Sequence, residues 1–526
     1  MPRQVRAGTS RLRPYGLADN RGIGLKRLRA RARRLLFAMV AVLVLAGTPG
    51  AATGPPESAL DRVDKTIEDR IDAHSIPGFA VAIVSDRRTV HVRGFGEADG
   101  SGRKVTARTP FVMGSSAKTI TALAVMQLVD AGTVSLDAPV RDYVPEFRVG
   151  DEAASQRITV RNLLQQTTGL SEAAGGRLLR STGGGTPLKV IDELQDEELV
   201  SDPGEEFHYS NGNFVLAGLV VERASGESFG RYVERHIFGP LGMNRSFTSL
   251  ERARRAGLAV GHRYLFGFTR EHGPTFPVEL QAAGYMISTA EDLGTYLSLY
   301  LNDGVANGRR LVSSQGLRTM LTPGREAHLG PWAGDPPSSY AMGWFAGGPW
   351  KESALLHPGN SPDSSSMLVL LPRRGWAVAT LMNAGNEMEI PGNPSAMDRT
   401  SRNAVDALLG EPAEGGSLRT FYVFFDLVVL ALIALAGFAL YRAARAFWRR
   451  EAPRHRLRAW VGVAIRALGG GLLLAAPILL GLGWGGLFLF VPDLAAVLLL
   501  IGLLLVITSV LRLTWLWRGR SESRAL

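Results

Sequence analysis

Three apolar runs, at about 421–440, 467–490 and 494–511, close this 526-residue chain, and each is long enough to cross a bilayer as a helix. Backbone inside hydrocarbon must satisfy its own hydrogen bonds, so these runs predict transmembrane helices appended to whatever precedes them. The formal net charge of +11 is divided along the same lines: residues 1–34 carry +10, residues 441–526 carry +9, and residues 35–440 carry −8. Basic charge gathered beside apolar runs is a topology signal rather than a nucleic-acid one. Arg442, Arg445, Arg449, Arg450, Arg454, Arg456 and Arg458 separate the first run from the second, whereas little more than Val491-Pro492-Asp493 joins the second to the third. The positive-inside rule then predicts a basic cytoplasmic loop over 441–460 and places residues 55–415 on the extracytoplasmic side of the cell membrane. Leu35–Ala46, which follows Arg31, Arg33 and Arg34, resembles a secretory signal or an uncleaved anchor, so segment 1–54 is expected to be a basic leader with the same orientation. Asp426 falls near the outer interface of the first run, where an acid needs no functional explanation.

The segment 55–415 reads as one α+β domain. Phe79–Val84 with Thr89–Arg93, and Ser364–Leu371 with Trp376–Met382, have the composition of paired strands. Apolar spacing predicts helices over Ser115–Ala131 and Phe214–Arg223. Strands at both ends with helices between them suggest a sheet that joins the two ends of the domain. The chain has no cysteine, which removes disulfides, thiol catalysis and cysteine metal sites. Its nine histidines form no His-Glu-x-x-His spacing, so no metal and no cofactor are expected.

Within this domain Ser115-Ser116-Ala117-Lys118 opens an apolar helix. The chain has only six lysines against 53 arginines, so a lysine here stands out. Arginine stays protonated in proteins, whereas a buried lysine can lose its proton and act as a base. Spacing i, i+3 brings hydroxyl and amine to one helical face. The helix N-terminus also favours a developing oxyanion, by a few tenths to about 1 kcal/mol. Ser101-Gly102-Arg103-Lys104 has the same spacing but lies in a polar, Gly-rich stretch and reads as a solvated turn. By itself the first tetrapeptide fits an N-cap serine beside a solvated lysine equally well.

Two later stretches change that balance: Tyr209-Ser210-Asn211, and His357-Pro358-Gly359 followed by Asn360. Together with Phe111-Val112-Met113-Gly114 ahead of Ser115, Thr167-Thr168-Gly169-Leu170, Pro240-Leu241-Gly242-Met243 and Ala283-Gly284, they resemble the serine β-lactamase and penicillin-binding-protein superfamily, in its class C β-lactamase, D-aminopeptidase and esterase branch. The resemblance covers about 60–410. It implies an antiparallel sheet flanked by helices, with an all-helical subdomain, and an acyl-enzyme mechanism. In that mechanism Ser115 is the nucleophile, and Lys118 and Tyr209 share proton transfer. Asn211 bonds the lysine and the substrate amide, the backbone N–H groups of Ser115 and Asn360 form the oxyanion hole, and His357 and Gly359 lie on an edge strand lining the site. Which of Lys118 and Tyr209 is the base stays open.

This chain departs from the family pattern where His357 replaces a lysine that attracts substrate carboxylates, and where Pro358 removes a hydroxyl and an N–H. Histidine is mostly neutral at pH 7, so peptide, amide or ester substrates are favoured over penicillins. A catalytic domain followed by three spans is also similar to membrane-bound peptidases that remove an N-acyl-D-asparagine leader from nonribosomal-peptide prodrugs, an alternative reading. A second alternative is an inactive penicillin-binding-like module that binds cell-wall fragments. The expected partners are a small acylated peptide or ester and the lipid bilayer, with no nucleic acid. A transporter is disfavoured by spans with few polar residues.

Overall fold

A computed structural model describes residues 54–171, 174, 185–273, 277–327, 338–350, 353–385, 395–449, 456–479 and 483–522. The leader expected over 1–54 lies outside them apart from Gly54. Strand β1 (Gly78–Ser85) turns through Asp86 and Arg87, whose φ angles are 49° and 66°, into β2 (Arg88–Gly96). Such two-residue turns match the twist of an antiparallel pair. The later strands are β3 (Gly261–Leu265), β4 (Phe268–His272), β5 (Glu326–Ala327), β6 (Ser338–Tyr340), β7 (Phe345–Ala346), β8 (Leu355–Ser361), β9 (Ser364–Leu371) and β10 (Trp376–Met382). Eight of them form one antiparallel sheet in the order β2-β1-β10-β9-β8-β7-β6-β5. β1 pairs with β10 from Phe79↔Met382 to Ser85↔Trp376, so the sheet does join the two ends of the domain.

Every residue of β1, β9 and β10 is buried, which requires cover on both faces of the sheet. Helices α1 (Glu57–His74), α2 (Lys118–Asp130), α3 (Asn211–Ser225), α4 (Ala290–Leu301) and α5 (Ala396–Leu409) supply most of it. His91 of β2 reaches Asp64 of α1 at 2.8 Å, whereas a Cβ added to Gly294 of α4 would lie 2.4 Å from Thr89. A bulge at Ile83/Val84 puts His91 and Thr89 on opposite faces, so α1 and α4 sandwich the sheet. Helix α2 is almost wholly buried and ends in a Schellman motif, with Thr133 N bonded to Leu128 O at 2.9 Å and Gly132 at φ +72°. The expected solvated turn is one: Lys104 pairs with Glu97 at 2.9 Å and Ser101 is exposed.

Beyond the domain run three long apolar helices, α6 (Leu418–Trp448), α7 (Arg456–Leu479) and α8 (Pro492–Glu522). Their candidate spans of 31, 23 and 26 residues exceed the roughly 20 needed to cross a bilayer. The second lies upstream of the sequence expectation: α7 begins at Arg456, and Gly483–Phe490 is a separate short helix opening at a glycine with φ +62°. Close glycine packing joins α7 to α8, since a Cβ on Gly470 would lie 2.9 Å from Gly502 O. Arg442 of α6 and Arg466 of α7 both lie close enough to Arg512 of α8 to act on it electrostatically.

Candidate active site

Ser115 sits in a 3-10 turn, Gly114–Ala117, that leads directly into α2. The turn is pressed against β8. A Cβ on Gly359 would lie 2.0 Å from Met113 O, and one on Gly114, whose φ is +58°, would lie 2.6 Å from Asn360 N. Glycine is required at both positions, which brings the backbone N–H groups of Ser115 and Asn360 to the same point of contact. Beneath the turn, Ser366 Oγ donates to Met113 O at 2.5 Å and meets Ser116 Oγ at 2.8 Å, fixing the turn to β9. Ser115 itself is only partly buried while its neighbours are buried, so its hydroxyl is the accessible group of the turn.

Lys118 occupies the first position of α2 with no solvent exposure. Its Nζ lies 3.0 Å from Ser115 Oγ, 2.8 Å from Asn211 Oδ1 and 2.5 Å from Ala283 O. No carboxylate pairs with it among the described residues, and burial holds its amine well below the usual lysine range. A neutral amine has two N–H donors and one lone pair. Asn211 and the Ala283 carbonyl take the two donors, which leaves the lone pair to accept from the Ser115 hydroxyl. That arrangement can remove a proton from Ser115 as its oxygen attacks a carbonyl.

Tyr209 and Asn211 come from the segment entering α3. The Tyr209 ring centroid is 4.9 Å from Lys118 Nζ, and its ring stacks on Phe345 at 6.5 Å. Gln166, which the sequence reading passed over, clamps this segment. Its Oε1 accepts from Ser210 N at 2.9 Å and from Asn213 Nδ2 at 2.6 Å, and its backbone carbonyl accepts from His208 N at 2.9 Å. Gln166 is fully buried with φ +56°, an unusual conformation for a residue other than glycine. The only sequence hint was its place directly ahead of Thr167-Thr168-Gly169-Leu170.

His357 lies where a free strand edge begins, with its ring buried. β8 is an interior strand of the sheet, but β7 pairs only with Leu355 and Leu356, so the free edge begins at His357. The imidazole is 1% exposed and lies behind Tyr209, with ring centroids 6.4 Å apart. Its Nδ1 donates to Pro358 O at 2.7 Å, and its Nε2 accepts from the Tyr340 hydroxyl at 3.2 Å. Both nitrogens are engaged as a neutral ring requires, and burial above all pushes its pKa down to about 3. Because the folded value lies below the unfolded value of about 6.5, the unfolded chain binds the proton more readily, and stability drops as pH falls below 6.5 towards 3. His74, lowered to about 4 by burial, acts in the same direction. Between pH 6.5 and 5 the His357 contribution amounts to about 2 kcal/mol. Thermal melts at the two pH values are expected to show a smaller loss for His357→Gln than for wild type.

The Ser115, Lys118, Tyr209, Asn211, Gly359 and Asn360 positions thus converge, with His357 supporting Tyr209 from behind. Comparison with known proteins follows the same outline. The family model for Beta-lactamase matches residues 63–398, ending before α6. Penicillin-binding protein 4 of Amycolatopsis lactamdurans is 30% identical over 331 residues, which are 60% of this chain and 84% of that protein. Protein flp of Staphylococcus aureus strain MW2 is 24% identical over 388 residues, covering 73% of this chain and 74% of that one. Among solved structures, the octameric penicillin-binding protein homologue from Pyrococcus abyssi superposes with a TM-score of 0.59 at 27% identity, over 68% of this chain and 79% of that chain.

Proposed function

This chain belongs to the beta-lactamase family, whose members are serine hydrolases, and from that premise we propose that it is a membrane-anchored hydrolase of extracytoplasmic peptide, amide or ester bonds working through an acyl-enzyme. One observation carries the reading: a fully buried lysine amine with no counter-charge among the described residues, 3.0 Å from the hydroxyl of Ser115. In the first half-reaction Ser115 Oγ bonds to the substrate carbonyl carbon as its proton passes to the Lys118 amine. The Ser115 and Asn360 N–H groups hold the oxyanion, and losing one such donor typically costs ~2.7–4 kcal/mol of barrier. Collapse expels the leaving group, which takes the proton back through Lys118 and Tyr209. Water then repeats the sequence on the acyl-Ser115 ester, releasing the acid and regenerating the enzyme. Asn211 orients Lys118 and is available to the substrate amide. Anchoring rests on the three apolar helices, and the extracytoplasmic placement on the arginines that follow the first and third of them in the sequence.

Substrate preference follows from His357. A neutral, doubly hydrogen-bonded imidazole supplies no cation for a substrate carboxylate. A charge-assisted hydrogen bond is worth about 1.5–3 kcal/mol. The detergent-solubilised full chain should therefore hydrolyse an N-acyl-D-amino-acid amide or a p-nitrophenyl ester with kcat/KM about 10–100-fold above that for benzylpenicillin. His357→Lys should narrow that gap. Equal turnover of benzylpenicillin by the wild-type protein would refute the preference.

A further inference from the structure

We infer that the turn between β3 and β4 docks into the lipid interface and seats the catalytic domain on the bilayer, an inference that rests on reading α6, α7 and α8 as membrane spans. Phe268, at this turn, is 68% exposed, and Leu265 across from it is 40% exposed. Outside the three long helices, Phe268 is the most exposed large apolar side chain among the described residues. The same hairpin leans on α6. Tyr264 stacks on Tyr422 at 6.3 Å with an 8° tilt, and a Cβ on Gly267 would lie 2.9 Å from Tyr422 Cβ.

Tyr422 marks the level at which the lipid-facing surface of α6 begins. Val423, Phe424 and Leu427 immediately after it are 57%, 69% and 63% exposed. Asp493, at the start of α8, is buried beside Tyr422 and the Phe266 backbone, so both helices enter the apolar belt at the height of this turn. An exposed phenylalanine and leucine at that height continue the belt laterally, where an aromatic side chain partitions into the headgroup and acyl boundary. Arg270, paired in register with the partly buried Arg263, is exposed on the hairpin further from the tip, at a height where arginine can reach lipid phosphates. The turn is not free to swing away. Tyr264 OH donates to His74 O at 2.5 Å, and Leu418 N donates to His74 Nδ1 at 3.1 Å, locking hairpin, α1 and α6 together.

The other end of the hairpin reaches the active site. His262 N donates to Asp363 O at 3.1 Å and His272 Nδ1 meets Asp363 Oδ2 at 3.3 Å, in the turn that follows Asn360 and closes β8. Five strand residues at about 3.4 Å each separate that turn from the tip, roughly 17 Å. The lipid contact therefore fixes the height of the oxyanion strand above the membrane, within reach of a substrate whose apolar tail stays in the bilayer.

The absence of cysteine makes the test direct. Phe268→Cys, Val428→Cys on α6 and Asp86→Cys in the exposed β1–β2 turn are labelled with a nitrobenzoxadiazole fluorophore. Each full-length variant is placed in phosphatidylcholine vesicles with and without acyl-brominated lipid, and reaction with a fluorophosphonate confirms an intact site. The Phe268 label should shift to the blue and lose at least half as much emission to bromine as the Val428 label, while the Asp86 label stays unquenched. A Phe268 label that behaves like Asp86 while Val428 is quenched overturns the docking and leaves the membrane spans standing. An unquenched Val428 removes the spans and the docking together. A Phe268 signal that follows protein-to-lipid ratio rather than bromine means a second copy of the chain covers the turn, which also overturns it.

Discussion

Replacing Lys118 with arginine should lower kcat/KM by about 10³-fold or more while the positive charge at the site becomes permanent. Burial opposes the charge of the wild-type amine and lowers its pKa, and only the neutral form can take the Ser115 proton. Arginine cannot supply that form. Lys118→Met removes the base without adding a charge, so an equal loss in both variants, with thermal melts showing folded protein, assigns the effect to the missing lone pair. The same logic sets the pH dependence. Since burial lowers the folded pKa well below 10.5, activity should persist well below pH 10.5 and fall about tenfold per unit once pH drops below the folded value. A rate that instead climbs steadily towards pH 10.5 would mean the lysine is charged at neutrality, and a different base would be needed.

Tyr209→Phe should reduce kcat by about 10²–10³-fold with little change in stability. The ring is held by stacking on Phe345 and by His357 behind it, contacts that phenylalanine keeps. What is lost is the phenol that the proposed mechanism has sharing proton transfer with Lys118, whose amine lies 4.9 Å from the ring centroid. Pre-steady-state kinetics with a chromogenic ester separates the two half-reactions. A burst of one equivalent followed by slow turnover places the tyrosine in deacylation, and loss of the burst places it in acylation. Unchanged kcat in Tyr209→Phe would exclude the phenol from proton transfer altogether.

Much of this site was legible in the chain because its chemistry is carried by local words. A serine three residues before a lysine fixes their mutual distance wherever α2 forms, and the apolar positions after Lys118 made that helix readable. The strands at both ends were equally plain, since alternating and β-branched runs such as Gly78–Ser85 and Trp376–Met382 have few other uses. Partners supplied by other parts of the chain were not legible. Ala283 contributes a backbone carbonyl, which any residue could offer, and Tyr340 reaches His357 from a neighbouring strand region 17 residues away. Gln166 acts from a left-handed backbone conformation that no propensity predicts for glutamine. The depth of His357 also depends on sheet order, because only the shortness of β7 opens the edge where the motif lies. The shifted second candidate span has a simpler origin: an apolar run records composition, whereas the described helices end at Leu479 and resume at Gly483, whose φ is +62°.

Intact-mass spectrometry of the detergent-solubilised chain after exposure to a fluorophosphonate tests the central claim most directly. The wild-type protein and Ser101→Ala should each gain a single adduct, and Ser115→Ala should gain none, because the Ser115 hydroxyl lies 3.0 Å from a buried lysine amine whose charge burial opposes. A folded wild-type protein that gains no adduct, or an adduct that persists in Ser115→Ala, would contradict the assignment of Ser115 as the activated nucleophile.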